Sequence, residues 1–292
     1  MKPVAFDYFA PRSVAETLEL LGQHGEEGKL LAGGQSLVPL MNFRLVRPSA
    51  LIDLNRVPDL NYIRENNGWL EIGAMTRDRD LEESPLVREK CGLLALASSW
   101  IGHAQIRNRS TIGGGAAHND PAGEIPTVLL GLDAKILIGN QSGEIREEAA
   151  GDFFITYLTT ILGPTDLLTG FRVPIHPPGS GFAVREFARR RGDFAMAGSM
   201  ALVTMSGETC AEASVALMGV GSTAIKAGKT CELLLGSKPT SALIAEGAKQ
   251  AREEADPDDD IHATATFRRD LIESLTQAAL TEAFQNAGAH LE

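Results

Sequence analysis

Long apolar runs are missing from this chain. No stretch approaches the ~20 residues needed to cross a bilayer, so no membrane-spanning helix is expected. A basic excess is missing too: 27 lysines and arginines stand against 38 aspartates and glutamates, a formal net charge of −11. That balance argues against nucleic acid and anionic membrane surfaces as partners. Cysteine is scarce, with Cys91, Cys210 and Cys231 far apart in sequence. An odd number without Cys-x-x-Cys spacing argues against a disulfide framework or a metal cluster, so no metal site is expected. A reducing cytoplasm is the compartment this favours. The opening Met1-Lys2-Pro3-Val4-Ala5-Phe6-Asp7 lacks an apolar signal core and carries an early acid. Internal repeats and low-complexity tracts are also absent.

What is present is enough for a core: 43% of the 292 residues are hydrophobic, a length that fits two domains or one with an appendage. The opening reads as β-α-β. Ser13 and Glu16 form a capping-box signature, Val14, Leu18 and Leu21 share a face, and Gly25 is a stop. A short buried strand is expected at 29–32, a helix at 37–43 and a strand at 50–54. Further strands are expected at 69–74, 134–138 and 166–174. A polar helix should start at Arg77, a helical apolar stretch covers 86–101, and residues 124–130 form a buried helix or apolar run. Residues 176–181 (His-Pro-Pro-Gly-Ser-Gly) are the best linker, since proline and glycine continue neither element. Beyond it, 182–190, 197–205 and 213–220 read as a meander of strands. Helices at 241–254 and 268–287 close the chain. The acidic stretch 255–260 between them lacks the alternate spacing of a calcium loop and reads as a solvated connection.

Two glycine-centred segments carry most of the chemistry. The first is Leu30-Leu31-Ala32-Gly33-Gly34-Gln35-Ser36-Leu37; the second is Ser110-Thr111-Ile112-Gly113-Gly114-Gly115-Ala116-Ala117-His118-Asn119-Asp120-Pro121. Glycine permits positive φ and leaves no Cβ to block a ligand. Successive backbone N–H groups in such turns make anion-binding concavities. Two in one domain suggest a ligand with two phosphates. The plainer alternatives are a strand-to-helix turn capped by Ser36 and a second tight turn. Gly219-Val220-Gly221-Ser222-Thr223-Ala224 imitates a dinucleotide fingerprint, but Gly228 interrupts the helix such a site requires, and no well-placed acid follows. Ala227-Gly228-Lys229-Thr230 imitates the end of a phosphate loop, yet the required earlier glycine is Thr223.

Ala32-Gly33-Gly34-Gln35-Ser36-Leu37, followed by Leu40-Met41-Asn42-Phe43-Arg44-Leu45 and Leu51-Ile52-Asp53-Leu54, resembles the FAD-binding medium subunit of molybdenum hydroxylases. This is the family of the carbon monoxide dehydrogenase medium subunit and the xanthine dehydrogenase flavin domain. Thr111, Ile112, Gly113, Gly114, Ala117, Asp120 and Pro121 fit the family's second stretch, and Ala188-Arg189-Arg190-Arg191-Gly192-Asp193-Phe194-Ala195 fits a third. The resemblance covers essentially the whole chain. It departs at Gln35, where many relatives carry histidine, and at Glu124, where they usually carry aspartate.

The resemblance implies an α+β fold. A two-part N-terminal FAD-binding α/β region at 1–176 (about 1–57 and 58–176) would precede a small C-terminal domain at 177–292 with a three-stranded antiparallel sheet and a helix bundle. The implied cofactor-binding residues are Leu31, Ala32, Gly33, Gly34, Gln35, Ser36, Leu37, Ile101, Thr111, Gly113, Gly114, Gly115, Ala117, Asp120, Glu124, Leu168 and Phe194. No catalytic residue is expected, and His118 reads as structural. At least one of Arg189, Arg190 and Arg191 is expected to point inward, on the premise that they lie on a strand. The implied partners are a small subunit with two [2Fe–2S] clusters and a large molybdopterin subunit, in a heterotrimer paired into an (αβγ)2 assembly. The rival readings are a self-contained flavin oxidase or reductase of the same fold and a binding module that has lost FAD.

Overall fold

The computed structural model describes residues 1–291. The described residues build three main sheets in sequence order, each accompanied by helices, and a two-stranded hairpin of Phe154–Thr156 and Thr159–Thr160. The first is a parallel sheet of Asp7–Phe9, Ala50–Asp53 and Gly28–Leu31, in that spatial order. Helix Val14–His24 makes the crossover. The Ser13 hydroxyl accepts from Glu16 N at 3.1 Å, and Gly25 ends the helix at φ 51°. Leu18 and Leu21 then meet Ile52, Leu54 and Leu60 in a small core. Gly28–Leu31 is an edge strand in which only Gly28 is fully buried, so the expectation of a buried strand is corrected.

The middle sheet is antiparallel, ordered Ile63–Asn66, Trp69–Gly73, Leu167–Pro174, Lys135–Gly139 and Ile145–Ala149. Helices Gly92–Trp100 and Glu124–Gly131 share its core, where Leu94, Val128 and Leu129 join Leu70, Ile72 and Phe171. The apolar stretch 86–101 is two helices, Pro85–Lys90 and Gly92–Trp100, because Cys91 leaves helical geometry at φ −147° and ψ 63°.

The last sheet is antiparallel: Ser180–Phe187, Ala197–Ser206 and Thr209–Met218 form three long strands, with two-residue Ile225–Lys226 added at one edge. Helices Gly228–Leu234, Ser241–Glu254 and Ala265–Asn286 accompany it, contributing Leu234, Ile244, Leu280 and Phe284 to the core they share with its strands. Gly228 begins a helix rather than interrupting one. The Glu254 carboxylate accepts from Lys229 N and Thr230 N, both at 2.9 Å, and caps that start from a distant helix. Residues 176–181 connect the middle sheet to the last one, exposed at 177–179 and anchored at their start. His176 N donates to Lys90 O, and its ring lies 3.5 Å from Cys91 Sγ; burial pushes the imidazole down to about 4. Val184, Ala195, Met200 and Met218 continue the middle core, so the two halves share one interior.

Candidate functional site

The first glycine segment leaves the edge strand at Leu31 and enters helix Leu37–Asn42. Gly34 takes φ 75°, which a Cβ would strain. Gln35 Nε2 donates back to Gly33 O at 3.2 Å, and the Ser36 hydroxyl makes no cap bond. The N–H groups of Gly33, Gly34, Gln35 and Ser36 find no acceptor among the described residues. Four unpaired donors in one turn favour an anion.

The second segment is a helix start, not a turn. Thr111 is the N-cap of helix Ile112–His118, its hydroxyl accepting from Gly114 N at 3.0 Å. All three glycines are helical, so positive φ is not their reason. Gly113 N donates to Ala74 O at 2.9 Å, and a Cβ there would lie 2.5 Å from that oxygen. Ile112 N and Gly115 N are also paired, with Thr76 O and Thr111 O. A Cβ on Gly115 would likewise crowd Ile125 at 3.1 Å, so this segment offers a closely packed helix terminus rather than a second set of free amides. The two segments touch: a Cβ on Gly33 would meet Arg109 O at 2.3 Å, and one on Gly114 would lie 3.7 Å from Ala32 Cβ.

Asn119, buried and left-handed at φ 47°, fastens the far end. Its amide donates to Thr156 O and Thr159 O, and its oxygen accepts from the Thr223 hydroxyl. Asp120 Oδ1 caps Ala122 N at 2.9 Å. Gly219 N donates to Pro121 O, so the fingerprint-like 219–224 segment is a packing turn against the glycine helix. Ala117 is exposed, and His118 lies half-buried in the last turn.

Carboxylates gather beside this helix. Burial, then the Glu186 charge, pushes Glu124 up to about 8. Burial alone raises Glu186 to about 7, and its Oε2 is buried without a partner. Burial also raises Asp78 to about 6, with Oδ1 unpartnered. Buried orphan acceptors await hydroxyl or N–H donors. Ile101, Leu168 and Ala195 belong to one apolar cluster, whereas Phe194 is 64% exposed. Arg189, Arg190 and Arg191 are all exposed, which corrects the expectation of an inward arginine: the strand ends at Phe187, so strand alternation does not reach them. Arg191 lies over the Trp100 ring, 5.9 Å from its centroid. Asn55 and Arg77, which link the glycine segments, had no local signal in sequence; their partners lie 22 and 32 residues away.

Comparison with known proteins adds an independent line. Residues 4–176 match the FAD binding domain in molybdopterin dehydrogenase, and residues 182–283 match the CO dehydrogenase flavoprotein C-terminal domain. The chain is 40% identical over 288 residues to the 6-hydroxypseudooxynicotine dehydrogenase complex subunit alpha of Paenarthrobacter nicotinovorans, covering 98% of this chain and 97% of that one. A chain of carbon monoxide dehydrogenase from Hydrogenophaga pseudoflava superposes with a TM-score of 0.95 at 37% identity, covering 98% of this chain and 99% of that one. A chain of quinoline 2-oxidoreductase from Pseudomonas putida 86 gives a TM-score of 0.93 at 34% identity, with 98% and 99% covered.

Proposed function

The chain belongs to the FAD-binding medium subunits of the molybdenum hydroxylase family, and we propose that it holds FAD non-covalently and passes electrons from a partner's iron–sulfur clusters to an external acceptor. The run of unpaired N–H groups at Gly33–Ser36, set against the Thr111 helix start, carries this reading. Bound FAD supplies an isoalloxazine ring that takes up and gives out electrons.

The chain's own residues hold and orient. Gly33, Gly34, Gln35 and Ser36 donate to the diphosphate, flanked by Leu31, Ala32 and Leu37. Thr111, Gly113, Gly114 and Gly115 form the start of the second segment's helix, where partial positive charge favours a phosphate, and Ala117 lies exposed in its last turn. Asp120 fixes the turn after that helix. Glu124 accepts from sugar or ribityl hydroxyls, and protonation near neutral pH lets it donate as well. Ile101, Leu168 and Phe194 give the ring its apolar seat. The working division is residues 1–176 for the cofactor and 177–292 for its cover.

The small partner holds two [2Fe–2S] clusters and the large one the molybdopterin centre, in a cytoplasmic (αβγ)2 assembly. Chains of proteins named for carbon monoxide and quinoline share this fold, and one named for 6-hydroxypseudooxynicotine is similar in sequence over its whole length, in keeping with substrate choice on another subunit. Acid precipitation of the yellow protein should release all of its FAD into the supernatant. Flavin retained in the pellet would contradict non-covalent binding, and a colourless protein that takes up no added FAD would defeat the reading.

A further inference from the structure

The first glycine segment follows the edge strand of the first sheet and the second is a helix bonded through Gly113 N to Ala74 O at the end of the middle sheet, yet a diphosphate between them needs a fixed separation. Among the described residues no hydrogen bond joins residues 31–37 directly to 107–118. Beyond direct packing, the hydrogen-bonded connection runs through two side chains. Asn55 Nδ2 donates to Ala32 O at 3.0 Å, and Asn55 Oδ1 accepts from Arg77 Nη2 at 2.5 Å. Arg77 Nη1 donates to the Arg109 carbonyl. That carbonyl fills the space a Cβ on Gly33 would occupy. Arg77 is further fixed by a backbone bridge to Thr111. Asn55 is fixed by Asp53, whose Oδ1 accepts from the Asn55 amide at 2.5 Å and whose Oδ2 accepts from the Tyr8 hydroxyl at 2.6 Å.

We propose that Arg77, acting with Asn55, is a positioning residue that sets the separation of the two glycine segments and thereby the affinity for the diphosphate of FAD. A guanidinium suits the task because its planar fork presents two donors at a fixed spacing to two acceptors at once. A lysine would reach one acceptor and leave the other segment loose. The two residues act in series, so losing either breaks the same link. The inference rests on the FAD reading given above.

The test is a double-mutant cycle on the full-length chain, freed of flavin and titrated with FAD by fluorescence quenching. Arg77→Ala and Asn55→Ala should each weaken FAD binding about tenfold or more, and the double variant should fall within about twofold of the weaker single variant. Arg77→Lys should bind about as weakly as Arg77→Ala despite keeping its charge. If Arg77→Ala does not fold, Arg77→Lys and Asn55→Asp carry the cycle, since aspartate keeps the acceptor for Arg77 but loses the donor to Ala32. Urea midpoints of the flavin-free variants, read alongside, should leave each variant folded under the conditions of the titration, so that the loss of FAD affinity is not a loss of the fold. Wild-type affinity in the single variants, or losses in affinity that multiply in the double, overturns the proposal alone. Failure of the wild-type chain to bind FAD overturns both readings.

Discussion

Glu186 shows what a single buried oxygen can report. Its carboxyl sits near 4.5 in an unfolded chain and is raised to about 7 in the fold by burial, while its neighbour Glu124 reaches about 8. At these two carboxyls the folded chain therefore binds more protons than the unfolded one between about 4.5 and 8, and their contribution to stability changes in that window. That contribution falls as pH rises across the window and levels off above it. Glu186→Gln removes one contributor, so its flavin-free form should match wild type near pH 5 and exceed it near pH 9. After discounting for partial solvent screening, the gain is on the order of 1 kcal/mol, or ~2 °C in melting temperature. Melting curves at both pH values decide this: a difference that does not change with pH would show that the carboxyl ionises freely.

At the scale of elements, local signals were the readable ones. Ser13, Glu16 and Gly25 bound helix Val14–His24 within one short stretch, and Thr240 caps helix Ser241–Glu254, which matches its predicted span. Elements defined by distant partners were not readable. Helix Gly228–Leu234 depends on the Glu254 carboxylate, and the charged strand Ile145–Ala149 exists because Lys135–Gly139 offers it an edge. At the site, glycine content marked both segments, but which amides stay unpaired depends on the Ala74 and Thr76 carbonyls. The acidic connection 255–260 is a related case: Asp260 Oδ2 receives Arg268 Nη2 at 2.7 Å, so it is a brace as well as a loop. Arg268 also donates to Met196 O and Gly219 O, tying the last helix to the turn that abuts Pro121. Arg268→Met should cost about 3 kcal/mol, because a buried and a half-buried carbonyl lose their donor and Asp260 loses its partner. The more exposed Arg269→Met should cost under ~1 kcal/mol. Urea unfolding of both variants gives the comparison, and equal midpoints would refute the brace.

At the scale of the whole molecule, the question is what this chain does by itself. Its three cysteines are buried and unpaired, and among the described residues no group of three or more His, Cys, Asp or Glu side chains could hold a metal. A [2Fe–2S] centre needs four protein ligands. Purified alone, the chain should therefore contain flavin without iron or molybdenum, and its flavin should respond to artificial acceptors only slowly. On the proposed relay, electrons from substrate reach this flavin only through the iron–sulfur subunit. Anaerobic rapid mixing of the assembled complex with its substrate should bleach the flavin absorbance at turnover rate, whereas the isolated chain, or the chain with the large subunit alone, should stay yellow. Adding the iron–sulfur subunit should restore bleaching in proportion to the complex formed. Bleaching of the isolated chain at the rate of the complex would mean that substrate reaches the flavin directly, and the relay would have to be abandoned.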